Sequence, residues 1–214
     1  MKLLAFCLAL GALPGFSETR QASVAPIFIY TQFQQESSNA VVDALQDEME
    51  GIMSPMGLRF TWRSLASHGN ETAVELAVVT FKGRCTIAGL QPVNKNPGAL
   101  GWTHVSDGVI LPFADVDCDR IRDFIQKELL LLPSDDREEA YGRALGRVLA
   151  HELYHIFANT AQHGSCGVGK SAYTVKELLS DEFQFEQKES TALRNSKARN
   201  VLEAPVNAGS PPAL

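Results

Sequence analysis

The sequence predicts an α/β (α+β) protein: a mixed, mostly parallel sheet of about five strands, with a backing helix and a second helix that carries a functional site. Two observations favour this fold. Runs of β-branched and aromatic residues lie between Gly, Pro and Asn turns, and longer segments repeat apolar residues at helical spacing. A chain of 214 residues that is 45% hydrophobic suits one domain with its own core.

A strand and a helix open the predicted domain. Residues 27–33 are β-branched and aromatic and directly follow Pro26, which is typical of a strand start. Apolar residues then recur at helical spacing from residue 41 to about residue 53. Pro55 and Gly57 end this helix, because neither residue continues one well.

Four more strands are predicted to follow. Residues 58–63 alternate, whereas residues 73–82 form an almost continuous apolar run, which favours a central strand covered on both faces. Residues 99–105 and 109–113 complete the set, and Pro112 indicates an edge or a bulge. The first strand, helix and strand predict a parallel crossover, and the later strands are close enough for hairpin pairing, so the sheet is mixed.

Helices dominate the second half of the chain. We expect Asp119 to cap the first of them and Ser134, after Pro133, to cap the second. A last helix is predicted to start at Thr174, where the run from Thr174 to Glu177 fits a capping box. Residues 190–214 turn to Ala, Asn, Ser and Pro, which predicts a disordered tail.

The N-terminus predicts export. Residues 1–17 combine a positive start at Lys2, an apolar run too short to span a bilayer, and small residues up to Ser17. This pattern favours a signal peptide, with a buried N-terminal helix as the alternative. The expected mature protein is secreted or periplasmic, has no integral membrane segment, and folds as one catalytic domain over residues 24–189.

Three cysteines remain once Cys7 leaves with the signal peptide, so at most one disulfide forms. We favour Cys85 with Cys118, because both flank predicted strands of one sheet; two buried thiols are the alternative. Cys166 lies near the site described next and is interpreted as a lone loop thiol rather than a metal ligand.

The run His151-Glu152-Leu153-Tyr154-His155 is the most informative stretch. Two histidines four positions apart lie on the same side of a helix, so both imidazoles can bind one metal ion. Glu152 projects from the same turn and can act as a general base toward water on that metal. The pattern therefore predicts a Zn²⁺ site with a catalytic carboxylate beside it.

A zinc hydrolase needs a third protein ligand, and two candidates remain open. His163 reaches the metal only if the chain turns back after His155, and Asn159 is the residue there most able to take a left-handed conformation. Glu177 on the next helix is the second candidate, although a capping box already explains it. We expect the ligands His151, His155 and His163.

This stretch resembles the zincin metallopeptidases, and the order of elements before it is similar to that of metzincins, whose pattern is HExxHxxGxxH. Here the glycine position holds Ala158, the third-histidine position holds Ala161, and His163 is displaced by two residues. Metzincins also have a methionine turn, and no Met follows Met56. The resemblance is to a divergent metzincin-like zincin, and it implies a zinc metalloendopeptidase whose general base is Glu152.

The resemblance also implies that a sheet-edge segment holds an extended peptide by backbone pairing. The matching segment contains the expected substrate-binding residues Gly98, Ala99, Leu100 and Gly101. Tyr173 is a weaker suggestion as a residue that steadies an oxyanion.

The expected partner is therefore a peptide or protein. A net charge of −6 without a basic stripe argues against nucleic acid. The alternative function is a zincin-fold protein that binds metal or a partner without turnover, and a non-peptidase hydrolase on the same metal site also stays open.

Overall fold

The computed structural model describes residues 27–67, 73–90 and 98–197, so the predicted signal peptide lies outside the described residues. Its architecture is α+β with a mixed five-stranded sheet, as predicted. The strands are β1 Ile27–Phe33, β2 Phe60–Ser64, β3 Glu75–Lys82, β4 Gly101–Ser106 and β5 Val109–Asp117. The helices are α1 Asn39–Met53, α2 Cys118–Leu131, α3 Arg137–Phe157, α4 Val175–Leu178 and α5 Gln187–Arg194.

The sheet has the strand order β2-β1-β3-β5-β4. The pairs β1–β2, β1–β3 and β3–β5 are parallel, and β4 alone runs antiparallel, paired with β5 in a hairpin. The parallel crossover β1–α1–β2 and the later hairpin are therefore both confirmed. The hairpin puts β4 at one edge of the sheet, with one side free of any strand among the described residues.

The central strand β3 is covered on one face more fully than on the other. Ala77, Val79 and Phe81 are fully buried, whereas Leu76 on the opposite face is 38% exposed. The predicted central position is correct, but the predicted cover on both faces is only partial, because the face that carries Leu76 stays partly exposed. Leu76 and Val78, which stay partly exposed on the open face, made the run look continuous in sequence.

Strand β5 continues to Asp117, four residues beyond its predicted end. Parallel pairing with β3 begins at Phe113, and Pro112 lies between Ile110 and Ala114, which are the flanking β5 residues that pair with β4. The register between β4 and β5 shifts between Thr103 and Val105, opposite this point. A residue without a backbone N–H is tolerated there, which confirms the predicted irregularity at Pro112.

Two predicted helix starts are wrong by a few residues. Asp117 caps α2, since its extended backbone lets the carboxylate accept from the backbone N–H of Arg120 at 3.0 Å, and Asp119 lies inside the helix. Ser134 opens a 3₁₀ turn, and α3 begins only at Arg137. Residues able to cap a helix occur at several neighbouring positions in both segments. The local backbone geometry decides at which of them the helix begins.

The C-terminal part is more ordered than predicted. The capping box of Thr174 and Glu177 is confirmed, but α4 ends after one turn and a further helix, α5, follows. Glu189 and Leu193 of α5 are buried, so the disordered tail that we expected from residue 190 is wrong at its start. Residues 198–214 of that tail lie outside the described residues.

Helices α1 and α3 approach each other closely because glycines lie at their contact. A β-carbon on Gly142 would come within 2.6 Å of the Val41 carbonyl oxygen, and one on Gly146 within 2.6 Å of the Leu45 carbonyl oxygen. This close contact fixes α3 against α1, and α3 also packs on β4 and β5. The last turns of α3 are therefore held beside the sheet edge.

The buried guanidinium of Arg147 ties the segment after the site to this helix pair. Its Nε donates to Glu48 of α1 at 2.6 Å, and its terminal nitrogens donate to the carbonyl oxygens of Glu177 and Ser180 at 2.9 and 2.7 Å. Arg147 is fully buried, and a buried charge is stable only when it is paired and hydrogen-bonded in this way.

A disulfide joins Cys85 to Cys118, as predicted. It connects the residues after β3 to the first residue of α2, with a Cα–Cα distance of 5.1 Å. Cys166 is a free, exposed thiol, in line with the sequence interpretation. Among the described residues, none of the helices has both the length and the apolar character needed to cross a bilayer.

Candidate metal centre

Two histidines near the end of α3 face each other. His151 and His155 are each 7% exposed, and their Nε2 atoms lie 3.0 Å apart. The i, i+4 spacing brings both rings to one side of the helix, as the sequence indicated. The two nitrogens thus point at one small space.

His163 joins them because the chain reverses directly after α3. The helix ends at Phe157, and Asn159 adopts a left-handed backbone with φ of 48°. The backbone N–H of Thr160 then donates to the His155 carbonyl at 3.1 Å, which closes the turn. The predicted reversal at Asn159 is confirmed, and it needs a residue that tolerates positive φ.

The three rings form one compact group. The His163 ring stacks on that of His151 at 5.2 Å between centroids and lies edge-on to that of His155 at 4.9 Å. One ligand nitrogen from each residue lies within 4.8 Å of the other two. These three histidines are close enough to hold a metal ion, and they are the only such group of three among the described residues.

Backbone carbonyls fix the orientation of the two buried rings. Nδ1 of His151 lies 2.7 Å from the Val168 oxygen, and Nδ1 of His155 lies 2.6 Å from the Thr160 oxygen. Because a carbonyl only accepts, each Nδ1 carries the proton and each Nε2 presents its lone pair to the shared space. Such outer contacts orient histidine ligands in metal sites.

Burial keeps these imidazoles neutral. It lowers the pKa of His151 to about 4, although the hydrogen bond to Val168 acts in the opposite direction. Burial likewise lowers the pKa of His155. Neutral imidazole is the form that binds metal, so His151 and His155 need no deprotonation at neutral pH. Three imidazole nitrogens suit Zn²⁺ and related transition metals and not Mg²⁺ or Ca²⁺.

Glu152 lies beside this group and is 5% exposed. Burial raises the pKa of its carboxyl to about 7, and a hydrogen bond from the Thr103 hydroxyl to Oε2, at 2.8 Å, opposes that rise. A carboxyl with a pKa near neutral can both accept and return a proton at physiological pH. The residue predicted as general base therefore has a suitable environment.

Glu177, the alternative third ligand, takes part in other contacts. Its carboxylate accepts from Lys170 Nζ at 2.5 Å and from the backbone N–H of Thr174 at 2.7 Å. The hydrogen bond from Lys170 is the main reason that its pKa falls to about 2. Glu177 lies outside the histidine group, which leaves His163 as the third ligand in this geometry.

Tyr173 lines the open side of the site, and its hydroxyl contacts the groups that orient the His151 ring. Its hydroxyl donates to the Val168 carbonyl and lies 2.9 Å from Nδ1 of His151. This nitrogen is on the side of the ring opposite to the shared space, so the suggestion that Tyr173 steadies an oxyanion is not supported. The contact instead gives the His151 ring a second polar neighbour.

A cleft of about 420 Å³ opens in front of the histidines and Glu152. One wall is the edge strand β4 with the residues before it, and this wall includes all four predicted substrate-binding residues, Gly98, Ala99, Leu100 and Gly101. The predicted edge position of the segment is correct for β4. His104 points away from the cleft and lies 2.8 Å from Asp115, so it is no metal ligand here.

Three contributors to the site were missed in the sequence. Thr160 and Val168 contribute through their backbone carbonyls. Every residue type has a backbone carbonyl, so the sequence does not indicate such a role. Thr103 did carry a signal, since it lies two residues after Gly101 and therefore on the same face of β4.

Comparison of the chain with protein-family models, with curated proteins and with solved structures gave no match.

Proposed function

We propose that this protein is a zinc-dependent metallopeptidase in which His151, His155 and His163 bind the metal and Glu152 is the general base. The observation that carries the proposal is the group of three histidine nitrogens within 4.8 Å of one another, with a buried carboxyl next in sequence to one of them. In this arrangement each residue type has a separate chemical task.

The donor set supports zinc. Three imidazole nitrogens, two of them on rings oriented by carbonyls, are a known ligand combination for catalytic Zn²⁺, which keeps a further position open. When bound, zinc supplies a Lewis acid that makes water acidic near neutral pH and polarises a carbonyl.

Glu152 supplies the proton transfers. Its carboxylate accepts a proton from the attacking water as the new C–O bond forms, and the same carboxyl returns that proton to the amine when the C–N bond breaks. Its raised pKa, about 7, suits both steps.

The free edge of β4 supports a peptide as the substrate. A strand edge offers unpaired N–H and C=O groups along one side, and an extended peptide can add there as a further strand. The segment 98–101 forms the cleft wall at the start of this edge. The free edge beside the cleft, the order of elements and the HExxH run together favour a divergent metzincin-like zincin.

A second candidate is a protein of this shape that binds metal or a partner without turnover. Glu152 argues for the enzyme, because metal binding by three histidines does not require a buried carboxyl beside them. Export through an N-terminal signal is part of the proposal, and the Cys85–Cys118 disulfide supports an oxidising compartment.

The test is metal analysis of the purified protein together with digestion of a peptide library, with and without a chelator. We expect about one zinc per chain and hydrolysis that the chelator abolishes. Glu152→Gln should retain the zinc and lose at least about a hundredfold in kcat. Glu139→Gln, an exposed change on the same helix, is the matched control and should behave as wild type. Absence of zinc, or normal hydrolysis by Glu152→Gln, would contradict the proposal.

A further inference from the structure

The cleft-facing side of β4 contacts the proposed general base directly. Side chains alternate along a strand, so Gly101 and Thr103 share one face of β4. Both face the last turns of α3, and both lie against the carboxyl group of Glu152. The edge strand is therefore more than a wall of the cleft.

Thr103 makes the polar contact. Its hydroxyl lies 2.8 Å from Oε2 of Glu152 and 3.1 Å from the backbone oxygen of the same residue. A hydroxyl has one proton, and the ionised carboxylate is the stronger acceptor, so Thr103 donates to Oε2. If the hydroxyl proton turns to the backbone oxygen instead, Thr103 is still hydrogen-bonded to Glu152.

Gly101 leaves room for the other carboxylate oxygen. A β-carbon at Gly101 would lie 3.0 Å from Oε1 of Glu152 and 2.9 Å from Cγ1 of Val148. A larger residue at position 101 would therefore crowd the side chains of α3. Of the two β4 residues, Thr103 hydrogen-bonds one oxygen of the carboxyl group and Gly101 leaves space for the other.

The strand is shaped for this contact. The register of β4 against β5 shifts directly after Thr103. Irregularities of this kind change the direction of a strand and of the side chains next to it. The part of β4 with regular pairing, from Gly101 to Thr103, is the part that lies against Glu152.

We propose that Thr103 is a positioning residue that holds the Glu152 carboxyl in its reactive orientation, and that β4 thereby joins peptide binding to general-base catalysis. This inference rests on the proposed peptidase function. A glutamate side chain has several rotatable bonds, and a general base acts only within hydrogen-bond distance of its proton. Thr103 removes that freedom and acts through Glu152.

The experiment compares Thr103→Val with Thr103→Ser. Valine keeps the shape of threonine and removes the hydroxyl, whereas serine keeps the hydroxyl. We expect Thr103→Val to lower kcat about tenfold, the effect of one charge-assisted hydrogen bond, with KM within about twofold. Thr103→Ser should restore kcat to within about threefold of wild type. Thr80→Val, on the less covered face of β3, is the matched strand control and should leave kcat unchanged.

Zinc affinity and thermal unfolding are measured on the same variants. We expect Thr103→Val to bind zinc as tightly as wild type, because the three histidines are untouched. If wild type is inactive, the proposed function fails. If wild type is active and Thr103→Val keeps its kcat, or if Thr103→Ser is as impaired as Thr103→Val, the positioning role is wrong and the proposed function stands.

Discussion

The third-ligand assignment predicts that His163→Ala changes metal-dependent stability and leaves the metal-free fold intact. His163 is exposed and lies on the loop after α3, where its described ring contacts are with His151 and His155. Replacing an exposed side chain outside the core usually alters stability by less than about 0.5 kcal/mol. The free energy of unfolding without zinc should therefore match that of wild type.

The effect of zinc on stability follows from linkage. At a free zinc concentration about a thousandfold above the dissociation constant, zinc stabilises wild type by about 4.1 kcal/mol. Loss of an oriented outer contact weakens metal sites by about 10–100-fold, so loss of a ligand should weaken binding by at least about a hundredfold. The stabilisation of His163→Ala at the same free zinc should then be at most about 1.4 kcal/mol.

The assay is urea unfolding in a zinc buffer and in a chelator, with equal denaturant slopes as the check on two-state behaviour. Glu177→Gln is the matched control, since it removes the other candidate ligand and should retain the full zinc stabilisation. The reasoning fails if His163→Ala keeps the zinc effect of wild type, or if Glu177→Gln loses it.

Two further predictions concern the framework of the site. Gly146→Ala should destabilise the fold by about 1–3 kcal/mol, because its β-carbon would lie 2.6 Å from the Leu45 carbonyl oxygen; Gly51→Ala, with nothing within 4 Å, should instead stabilise it by about 0.5–1 kcal/mol. Denaturant midpoints measure both, and equal effects would contradict the close helix contact. The Glu177 carboxyl has a folded pKa of about 2, below its ordinary value, so it stabilises the fold above about pH 4.5 and that contribution is lost as the pH falls toward 2. Wild type should therefore lose its stability advantage over Glu177→Gln across that window, and an advantage independent of pH would rule out the Lys170 contact.

The parts of the fold that followed from the sequence are those in which residue type and spacing carry the information. Apolar spacing identified α1 and α3, and β-branched runs identified all five strands. The pairing of Cys85 with Cys118 followed because both flank strands that had to share one sheet. These features depend on chain-local patterns, which a single sequence contains.

The missed features depend on contacts that local patterns do not encode. Helix α5 buries only Glu189 and Leu193, so it gave little apolar periodicity. The helix starts at Asp117 and Arg137 were decided by backbone geometry among several capping residues. In the site, the carbonyl of Val168 orients His151 across 17 residues of sequence, and any residue type could supply that oxygen.

The displaced third histidine shows how local geometry and site chemistry fit together. In the pattern that this chain resembles, a glycine ends the helix at the position of Ala158. Here Ala158 still has a right-handed helical backbone, with φ of −82°, and the left-handed residue is Asn159, one position later. The left-handed turn therefore comes one position later, and the chain after it brings a nitrogen of His163 within 4.8 Å of those of His151 and His155. The departure from the pattern is thus a longer loop with the same three-histidine result, which is why the zinc proposal does not depend on the missing glycine.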